Sequence, residues 1–309
     1  MQDYVVQVKD FRKVYGDMAA VDGISFEVQQ GEIFGLLGPN GAGKTTTMES
    51  LEGLRQPSSG TLKIFDIDPT RQPKRLHHLL GVQLQASSLP GSMTPNEAME
   101  FFCAYHQVNP RHDLLERLGL GEKKLSQYST LSTGQQRRLA LALAIAHDPP
   151  VVLLDEPTAG LDVGSRVELH EVMAEMRAKG ATIILATHDM AEAEKMADRV
   201  AILLKGKIAA TGSPTQLTAS GRGLVKISVL SETGSLLKNA GVFPAVSQQI
   251  IKDEYVIFYS HDAGETAPAI FDFLKVQDDR LVDLRVERPT LEDRFLEITQ
   301  PDSSNGGES

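Results

Sequence analysis

Short apolar runs, separated by turn residues and by stretches of helical periodicity, dominate the first two thirds of the chain. Val151-Val152-Leu153-Leu154 is wholly apolar, as expected for a parallel strand that is buried on both faces. A segment with helical spacing follows, and it ends at Gly180 before a second apolar run at residues 182–186. Strands that alternate with helices in this order predict an α/β fold around a parallel sheet.

Residues 94–144 have the periodicity of helices. Thr94-Pro95-Asn96-Glu97 has the pattern of a capping box with proline at the first helical position. Apolar and aromatic residues then recur three or four positions apart: Ala98, Met99, Phe101, Phe102, Tyr105 and His106. We expect these aromatic side chains to pack in the hydrophobic core, and we expect Cys103, within the same stripe, to be a buried thiol.

The composition changes near residue 220, where Ser220-Gly221-Arg222-Gly223 is typical of a linker. Beyond it, the pattern predicts the order β, α, β, β, α, β and a final helix, which indicates a small ferredoxin-like unit. We therefore predict a large domain at residues 1–219, a small α+β domain at residues 220–300 and a disordered tail at residues 301–309.

Charge and composition narrow the possible partners. The 309 residues include 31 lysines and arginines against 41 aspartates and glutamates, so the net charge is −10 with neutral histidine. This negative charge repels phosphate backbones, and we expect no nucleic-acid partner. The longest wholly apolar run, at residues 139–146, is far shorter than the roughly 20 residues that span a bilayer. We expect a soluble chain that contacts a membrane only through partner proteins.

The strongest chemical motif is a glycine-rich loop between a predicted strand at residues 32–37 and a predicted helix. Its sequence, Gly38-Pro39-Asn40-Gly41-Ala42-Gly43-Lys44-Thr45, matches the phosphate-loop pattern. Glycines allow successive backbone N–H groups to point at phosphate oxygens, and the following helix adds its positive N-terminal end. We expect Lys44 to bind the terminal phosphates, the Thr45 hydroxyl to ligate Mg²⁺, and Thr46 to complete the nucleotide-binding segment.

A pair of acidic residues, Asp155 and Glu156, follows the apolar run at residues 151–154. In an open parallel sheet this position lies at the carboxyl edge, where ligands bind. One carboxylate can hold Mg²⁺ through water, and the next can accept a proton from an attacking water molecule. An acidic pair after a strand is usually a solvated turn, but here a phosphate loop accompanies it, and we interpret the pair as functional.

These motifs resemble those of ATP-binding-cassette ATPases, and the family's other motifs follow in order over about residues 4–217. Leu131-Ser132-Thr133-Gly134-Gln135 resembles the family signature, in which the usual third residue is glycine rather than Thr133. The resemblance assigns four more residues. They are Tyr15, which stacks on adenine; Gln85, which senses Mg²⁺ and the transporter partner; Asp162, in the loop that communicates across the dimer; and the switch histidine, His188.

The resemblance implies a P-loop NTPase cassette with a parallel core sheet, an antiparallel β subdomain and a helical insertion at about residues 86–145. It implies binding of ATP and Mg²⁺ and hydrolysis by an in-line water, with Lys44, Glu156 and His188 as catalytic residues and Asp155 as a further Mg²⁺ ligand. It also implies a dimer. In that dimer, residues 132–135 and Asp162 of one subunit close on the nucleotide that the other subunit holds.

Two classes of function are compatible with this resemblance. The first is the motor subunit of a membrane exporter, attached through separate permease chains to the cytoplasmic face of the cell membrane. Gly81-Val82-Gln83-Leu84-Gln85 and residues 288–297 resemble exporter ATPases that pair with ABC-2 type permeases. The second is a soluble cassette protein of translation or DNA maintenance, but such proteins usually have two cassettes, long insertions or basic surfaces. The sequence leaves import and the role of the small domain open.

Overall fold

The computed structural model describes residues 4–83, 89–220, 224–238 and 242–299. The chain divides into two compact units, residues 1–214 and 215–309. The strands of the first unit are β1 (Tyr4–Tyr15), β2 (Met18–Gln29), β3 (Ile33–Leu37), β4 (Ser59–Ile64), β5 (Leu80–Gln83), β6 (Val151–Asp155), β7 (Thr182–Thr187), β8 (Arg199–Leu204) and β9 (Lys207–Gly212). Its α-helices are α1 (Lys44–Leu51), α2 (Pro73–Leu76), α3 (Pro95–His106), α4 (His112–Arg117), α5 (Thr133–Ile145), α6 (Val163–Ala178) and α7 (Met190–Met196).

A six-stranded sheet forms the centre of the first unit, in the order β5-β6-β7-β3-β8-β9. The strands from β5 to β8 are parallel, and β9 pairs antiparallel with β8. Every residue of β3, β6 and β7 is buried, as the apolar runs of the sequence predict. The predicted α/β architecture is therefore confirmed, and the carboxyl ends of these three neighbouring strands meet at one edge of the sheet.

A three-stranded antiparallel sheet, in the order β2-β1-β4, forms the predicted β subdomain. Its apolar side chains share one core cluster with residues of β3 and α1. Within this cluster the rings of Phe26 and Phe34 stack with their centroids 5.1 Å apart. Burial of such a side chain stabilises the fold by about 1.5–3 kcal/mol. This core therefore fixes the two elements that flank the glycine-rich loop.

The helical part of the first unit lies between β5 and β6 and contains α3, α4 and α5. Both hydrogen bonds of the predicted capping box are present at the start of α3. The Glu97 N–H donates to the Thr94 hydroxyl, and the Thr94 N–H donates to the Glu97 carboxylate. Among the described residues, no helix is both long enough and apolar enough to cross a bilayer.

The prediction that the aromatic side chains of α3 pack in the core is wrong for two of them. Ala98, Met99 and Cys103 are buried as expected. Phe101 is 62% exposed, however, and Tyr105 is 54% exposed. Apolar residues cover more of the helix circumference than the core can bury, so the periodicity indicates a helix without showing which part of its apolar face is covered.

The second unit follows the predicted element order. Its elements are β10 (Val225–Ser231), α9 (Ser235–Lys238), β11 (Val246–Lys252), β12 (Tyr255–Ser260), α10 (Ala263–Val276), β13 (Leu281–Glu287) and α11 (Leu291–Thr299), while α8 (Pro214–Ser220) lies at the boundary of the two units. The strands form an antiparallel sheet in the order β11-β12-β10-β13. The Tyr259 hydroxyl donates to Asp293 at 2.8 Å and ties α11 to this sheet. Residues 221–223 of the predicted linker and the predicted tail lie outside the described residues.

Candidate active site

The predicted site residues of three motifs converge because their strands are neighbours in the sheet. Leu37 at the end of β3 pairs in register with Thr187 at the end of β7, and Ala186 of β7 pairs with Asp155 at the end of β6. The glycine-rich loop, the acidic pair and His188 each follow one of these strand ends. The sheet topology therefore brings the glycine-rich loop to the same edge as the acidic pair and His188, which follow the loop by more than 100 residues in the sequence.

The glycine-rich loop requires glycine at Gly43, the residue that precedes α1. Gly43 has φ of 107°, and a Cβ atom at this position would lie 2.7 Å from the Ala20 carbonyl oxygen. Only glycine adopts this conformation at such close approach without strain. Because Gly43 offers no side-chain cap, the first N–H groups of α1 keep their capacity to donate to an anion.

Lys44 is buried at the start of α1, with its ammonium group turned toward the loop. Its Nζ donates to the carbonyl oxygens of Gly38 at 2.7 Å and Pro39 at 3.3 Å. The same Nζ lies 3.6 Å from Oε1 of Glu156. Both side chains of this ion pair are only 6% exposed, so water screens their interaction weakly. Lys44 is thus positioned between the loop and the acidic pair.

Glu156 is held in a rare backbone conformation by its neighbours. Its φ is 52°, in the left-handed region that a glutamate seldom adopts, and its N–H donates to the Ala186 carbonyl at 2.8 Å. Nδ1 of His188 donates to Oε2 of Glu156 at 2.7 Å. Oε1 of Glu156 is buried and has no hydrogen-bond partner within the described part of the chain. Strain of about 1–3 kcal/mol at such a position is typical of functional sites.

Asp155 and Thr45 form a second polar pair beside this cluster. The Thr45 hydroxyl donates to Oδ2 of Asp155 at 2.9 Å, while Oδ1 is buried without a hydrogen-bond partner among the described residues. Burial raises the pKa of Asp155, and the hydrogen bond from Thr45 opposes that shift. A buried carboxylate oxygen without a donor, next to a hydroxyl, is suited to a hard cation such as Mg²⁺.

A cavity of about 590 Å³ opens beside the glycine-rich loop. Its lining includes predicted site residues, namely Tyr15, Asn40, Gly41, Ala42, Gly43, Lys44, Thr45, Thr46 and Glu156. Tyr15 is 38% exposed, and the Lys13 ammonium lies 5.1 Å from the centre of its ring. We call this space the nucleotide cavity.

Sequence reasoning missed part of the wall of the nucleotide cavity. Ala20, Lys205 and Gly206 also line it. Lys205 and Gly206 form the tight turn between β8 and β9, and the Gly206 N–H donates to the Ala42 carbonyl at 3.1 Å. In the sequence this pair indicates only a hairpin turn, so nothing there connects it to the phosphate loop.

The signature segment and Asp162 lie apart from the nucleotide cavity of their own chain. Ser132 caps α5 by accepting from the Gln135 N–H at 3.2 Å, and Thr133 and Gly134 begin this helix. Asp162 caps α6 by accepting from the Ser165 N–H at 2.9 Å. None of these residues lines the cavity. Gln85, the remaining predicted site residue, lies outside the described residues.

A second cavity of the first unit, of about 360 Å³, is lined mostly by apolar and aromatic residues. Its main lining residues are Leu54, Leu80, Val82, Leu89, Phe102, Tyr105, Tyr128, Ala140 and Leu143, together with three histidines, His77, His106 and His147, and one acidic residue, Glu52. Tyr105, whose exposure the sequence did not predict, belongs to this wall. We call this space the apolar groove.

The proteins that this chain resembles are ATP-binding proteins, as the geometry of the glycine-rich loop leads us to expect. The family model described as ABC transporter matches residues 21–159. Nod factor export ATP-binding protein I of Paraburkholderia xenovorans (strain LB400) is 35% identical over 307 residues, which cover 97% of this chain and 98% of that protein. Daunorubicin resistance ATP-binding protein DrrA3 of Streptomyces coeruleorubidus is 31% identical, with 98% of each chain covered.

A solved structure of similar fold supplies a nucleotide-bound example. It is a dimeric ATP-binding cassette in a post-hydrolysis state with ADP and phosphate, and it matches with a TM-score of 0.62 and 25% identity over 67% of this chain and 98% of that chain. This chain belongs to the family of ATP-binding subunits of ABC transporters. It is therefore an ATPase that serves as a transport motor.

Proposed function

We propose that this chain drives an exporter, that it works with separate membrane-spanning chains of the ABC-2 permease type, and that these chains hold it at the cytoplasmic face of the cell membrane. The observation that carries the proposed mechanism is the cluster of Lys44, Glu156 and His188 at the sheet edge. Export is supported by relatives that match nearly the whole chain and are named for Nod factor export and daunorubicin resistance. These names favour transport over translation or DNA maintenance.

In this proposal ATP binds in the nucleotide cavity. A volume of about 590 Å³ is in the range of cavities that hold nucleotide-sized ligands. The adenine stacks on Tyr15 at the rim. The Lys44 ammonium exchanges the carbonyl oxygens of Gly38 and Pro39 for phosphate oxygens, which carry more negative charge and accept stronger hydrogen bonds. The N–H groups of the loop and of the first turn of α1 bind the remaining phosphate oxygens.

Thr45 and Asp155 are the residues that fit Mg²⁺ in this proposal. They offer a hydroxyl oxygen and a buried carboxylate with one oxygen unpaired among the described residues. Bound there, Mg²⁺ would supply positive charge that offsets the charge of the phosphates. Gln85 stays a predicted third ligand, since it lies outside the described residues.

Glu156 is the general base of the proposed reaction. The oxygen of a water molecule bonds to the γ-phosphorus, the bond from that phosphorus to the bridging oxygen breaks, and the water proton passes to the Glu156 carboxylate. The products are ADP and inorganic phosphate. Oε1 of Glu156 accepts the hydrogen bond from the water, because this oxygen has no hydrogen-bond donor among the described residues. His188 holds the carboxylate through Oε2, and Lys44 offsets charge on the transferred phosphoryl group.

A second copy of the chain completes the site in this proposal. Residues 132–135 form the exposed N-terminus of α5, and a helix N-terminus can bind phosphate. These residues do not line the nucleotide cavity of their own chain. Asp162 is likewise outside that cavity. A head-to-tail dimer would place both segments against the nucleotide of the partner subunit. The dimeric state of the matching cassette supports this arrangement.

The apolar groove is the docking surface for the permease in this proposal. Tyr105 and Leu54 line the groove, and they are 54% and 63% exposed. Contiguous exposed apolar surface of this kind marks protein interaction sites. A short helix of the permease could bury its apolar face in such a groove, as many peptide helices do.

The proposed partnership is tested by purifying the tagged chain from detergent-solubilised membranes and identifying the co-purifying chains by mass spectrometry. We expect a polytopic permease of the ABC-2 type with the unaltered chain and its loss with Tyr105→Glu, which places a charge in the groove wall. Val276→Glu, at an 81% exposed position of α10, is the matched control and should retain the permease. Recovery of ribosomal or DNA-repair proteins in place of a permease would contradict the proposal.

A further inference from the structure

The apolar groove contains one acidic side chain that the proposed reaction does not use. Glu52 follows the last residue of α1 and lines the groove. It is only 8% exposed, and its carboxyl group has no hydrogen-bond or ion-pair partner among the described residues. Its carboxyl oxygens keep some contact with solvent, so a donor that enters the groove can reach them.

The charge state of Glu52 follows from its surroundings. Burial raises the pKa of Glu52 to about 8, and the neighbouring charges of Glu49 and Asp155 add to this shift. At neutral pH the isolated chain therefore holds mostly the uncharged acid. A nearby positive charge would reverse this, because an opposite charge favours the ionised carboxylate.

The described residues that line the groove with Glu52 include several aromatic rings and no lysine or arginine. The rings of His106 and His147 stack with their centroids 3.7 Å apart, and His77 lies 3.2 Å from the Tyr105 hydroxyl. Burial lowers the pKa of His147 to about 4 and also lowers the pKa of His106, so both are neutral at pH 7. Neutral aromatic rings do not repel a cation, and their faces stack favourably on a guanidinium group.

We infer that the apolar groove receives a basic side chain, arginine or lysine, from the docking segment of the permease, and that this side chain pairs with Glu52. The inference rests on the proposed function, because it names the chemistry of the permease that docks in the same groove. Charge complementarity carries it: a nine-tenths buried acid faces a cavity whose described lining residues include no lysine or arginine. The aliphatic stem of such a side chain would bury its methylene groups against Leu80 and Leu143, while its charged end reaches Glu52.

Two small probes of equal shape test the inference on the full chain. 2-Phenylethylguanidinium carries a cation on an aromatic anchor, and 2-phenylethylurea is its neutral counterpart. Calorimetric titration at pH 7 should show that the guanidinium binds about tenfold more tightly than the urea, as expected for a hydrogen-bonded charge pair. Glu52→Gln should reduce this preference to about twofold or less. Glu168→Gln, which removes an exposed charge on α6 away from the groove, should leave the preference intact.

The outcomes separate this inference from the function on which it rests. Equal affinity of the two probes, failure of the guanidinium to bind, or an unchanged preference in folded Glu52→Gln overturns the inference. If co-purification still recovers the permease, only the basic partner side chain is excluded. If co-purification recovers no permease, the proposed function fails independently of the titration. Circular dichroism of Glu52→Gln verifies that the variant is folded.

Discussion

The nucleotide cavity and the apolar groove belong to the same unit, and each contains a buried carboxyl group. The two carboxyl groups differ in whether they have partners. In the nucleotide cavity Glu156 lies 3.6 Å from the Lys44 ammonium and accepts from His188 at 2.7 Å. In the groove Glu52 has no such partner among the described residues, and burial keeps it largely uncharged. The cluster of Lys44, Glu156 and His188 is therefore paired within one chain, whereas we propose that Glu52 is paired by a side chain of another protein.

The largest effect is expected in the nucleotide cavity, from Glu156→Gln. The variant keeps the shape of the side chain and removes its basicity, so ATP hydrolysis should fall by about 10²–10⁴-fold while nucleotide binding is retained. Release of phosphate from purified protein measures the turnover. Glu168→Gln serves as the control for loss of one negative charge. Hydrolysis at the normal rate by Glu156→Gln would show that another group is the base.

A second effect, on binding, is expected from Lys44→Ala. Loss of hydrogen bonds from this ammonium to the phosphates should weaken ATP binding by about 10–100-fold. Fluorescence titration with a labelled nucleotide measures the affinity. Lys63→Ala, which removes an exposed cation of β4, should bind ATP as the unaltered chain does. Equal affinity in Lys44→Ala would mean that the glycine-rich loop does not hold the phosphates as proposed.

The smallest effect is expected in the apolar groove, from Glu52→Gln. This substitution should increase the stability of the fold, whereas the two substitutions in the nucleotide cavity should reduce activity or binding. The pKa of Glu52 is about 8 in the folded chain, against an ordinary value near 4.5, so folding favours the protonated acid. As the pH rises from 4.5 to 8, the unfolded chain ionises Glu52 and the folded chain does not, and stability is lost. Glu52→Gln removes this loss, so at pH 6 it should be more stable than the unaltered chain by on the order of 2 kcal/mol, and by more at pH 8.

Urea unfolding at pH 5, 6, 7 and 8 measures this difference. The gap between Glu52→Gln and the unaltered chain should be small at pH 5 and widen toward pH 8. Glu168→Gln, which removes an exposed charge on α6, is measured alongside as the control for loss of one carboxylate. If the difference in free energy of unfolding between Glu52→Gln and the unaltered chain does not change with pH, Glu52 is not held uncharged by burial, and the contrast with Glu156 is lost.

The nucleotide cavity and the apolar groove also differ in how far they could be predicted from the sequence. The glycine-rich loop and the capping boxes at Thr94 and Ser132 are local, since each depends on residues only a few positions apart. The convergence of Lys44, Glu156 and His188 is not local. It could still be predicted, because the motifs follow apolar runs that are typical of parallel strands, and such strands end at one edge of a sheet.

The groove could not be predicted in this way. It combines Glu52 after α1, His77 after α2, His106 of α3 and His147 after α5, and no sequence spacing relates these positions. The exposure of Phe101 and Tyr105 was missed for a similar physical reason. Helical periodicity identifies an apolar face, but neighbouring elements decide how much of that face is buried. The turn at Lys205 and Gly206 likewise reaches the nucleotide cavity only through the pairing of β8 and β9.

The central claim is that two copies of this chain enclose ATP between them, each supplying the signature segment for the nucleotide of the other. Sedimentation velocity of Glu156→Gln in excess ATP and Mg²⁺ tests it most directly, because this variant should bind ATP without consuming it. We predict a dimer in ATP that returns to single chains in ADP. Single chains in both nucleotides, with ATP binding verified in the same sample, would contradict the claim.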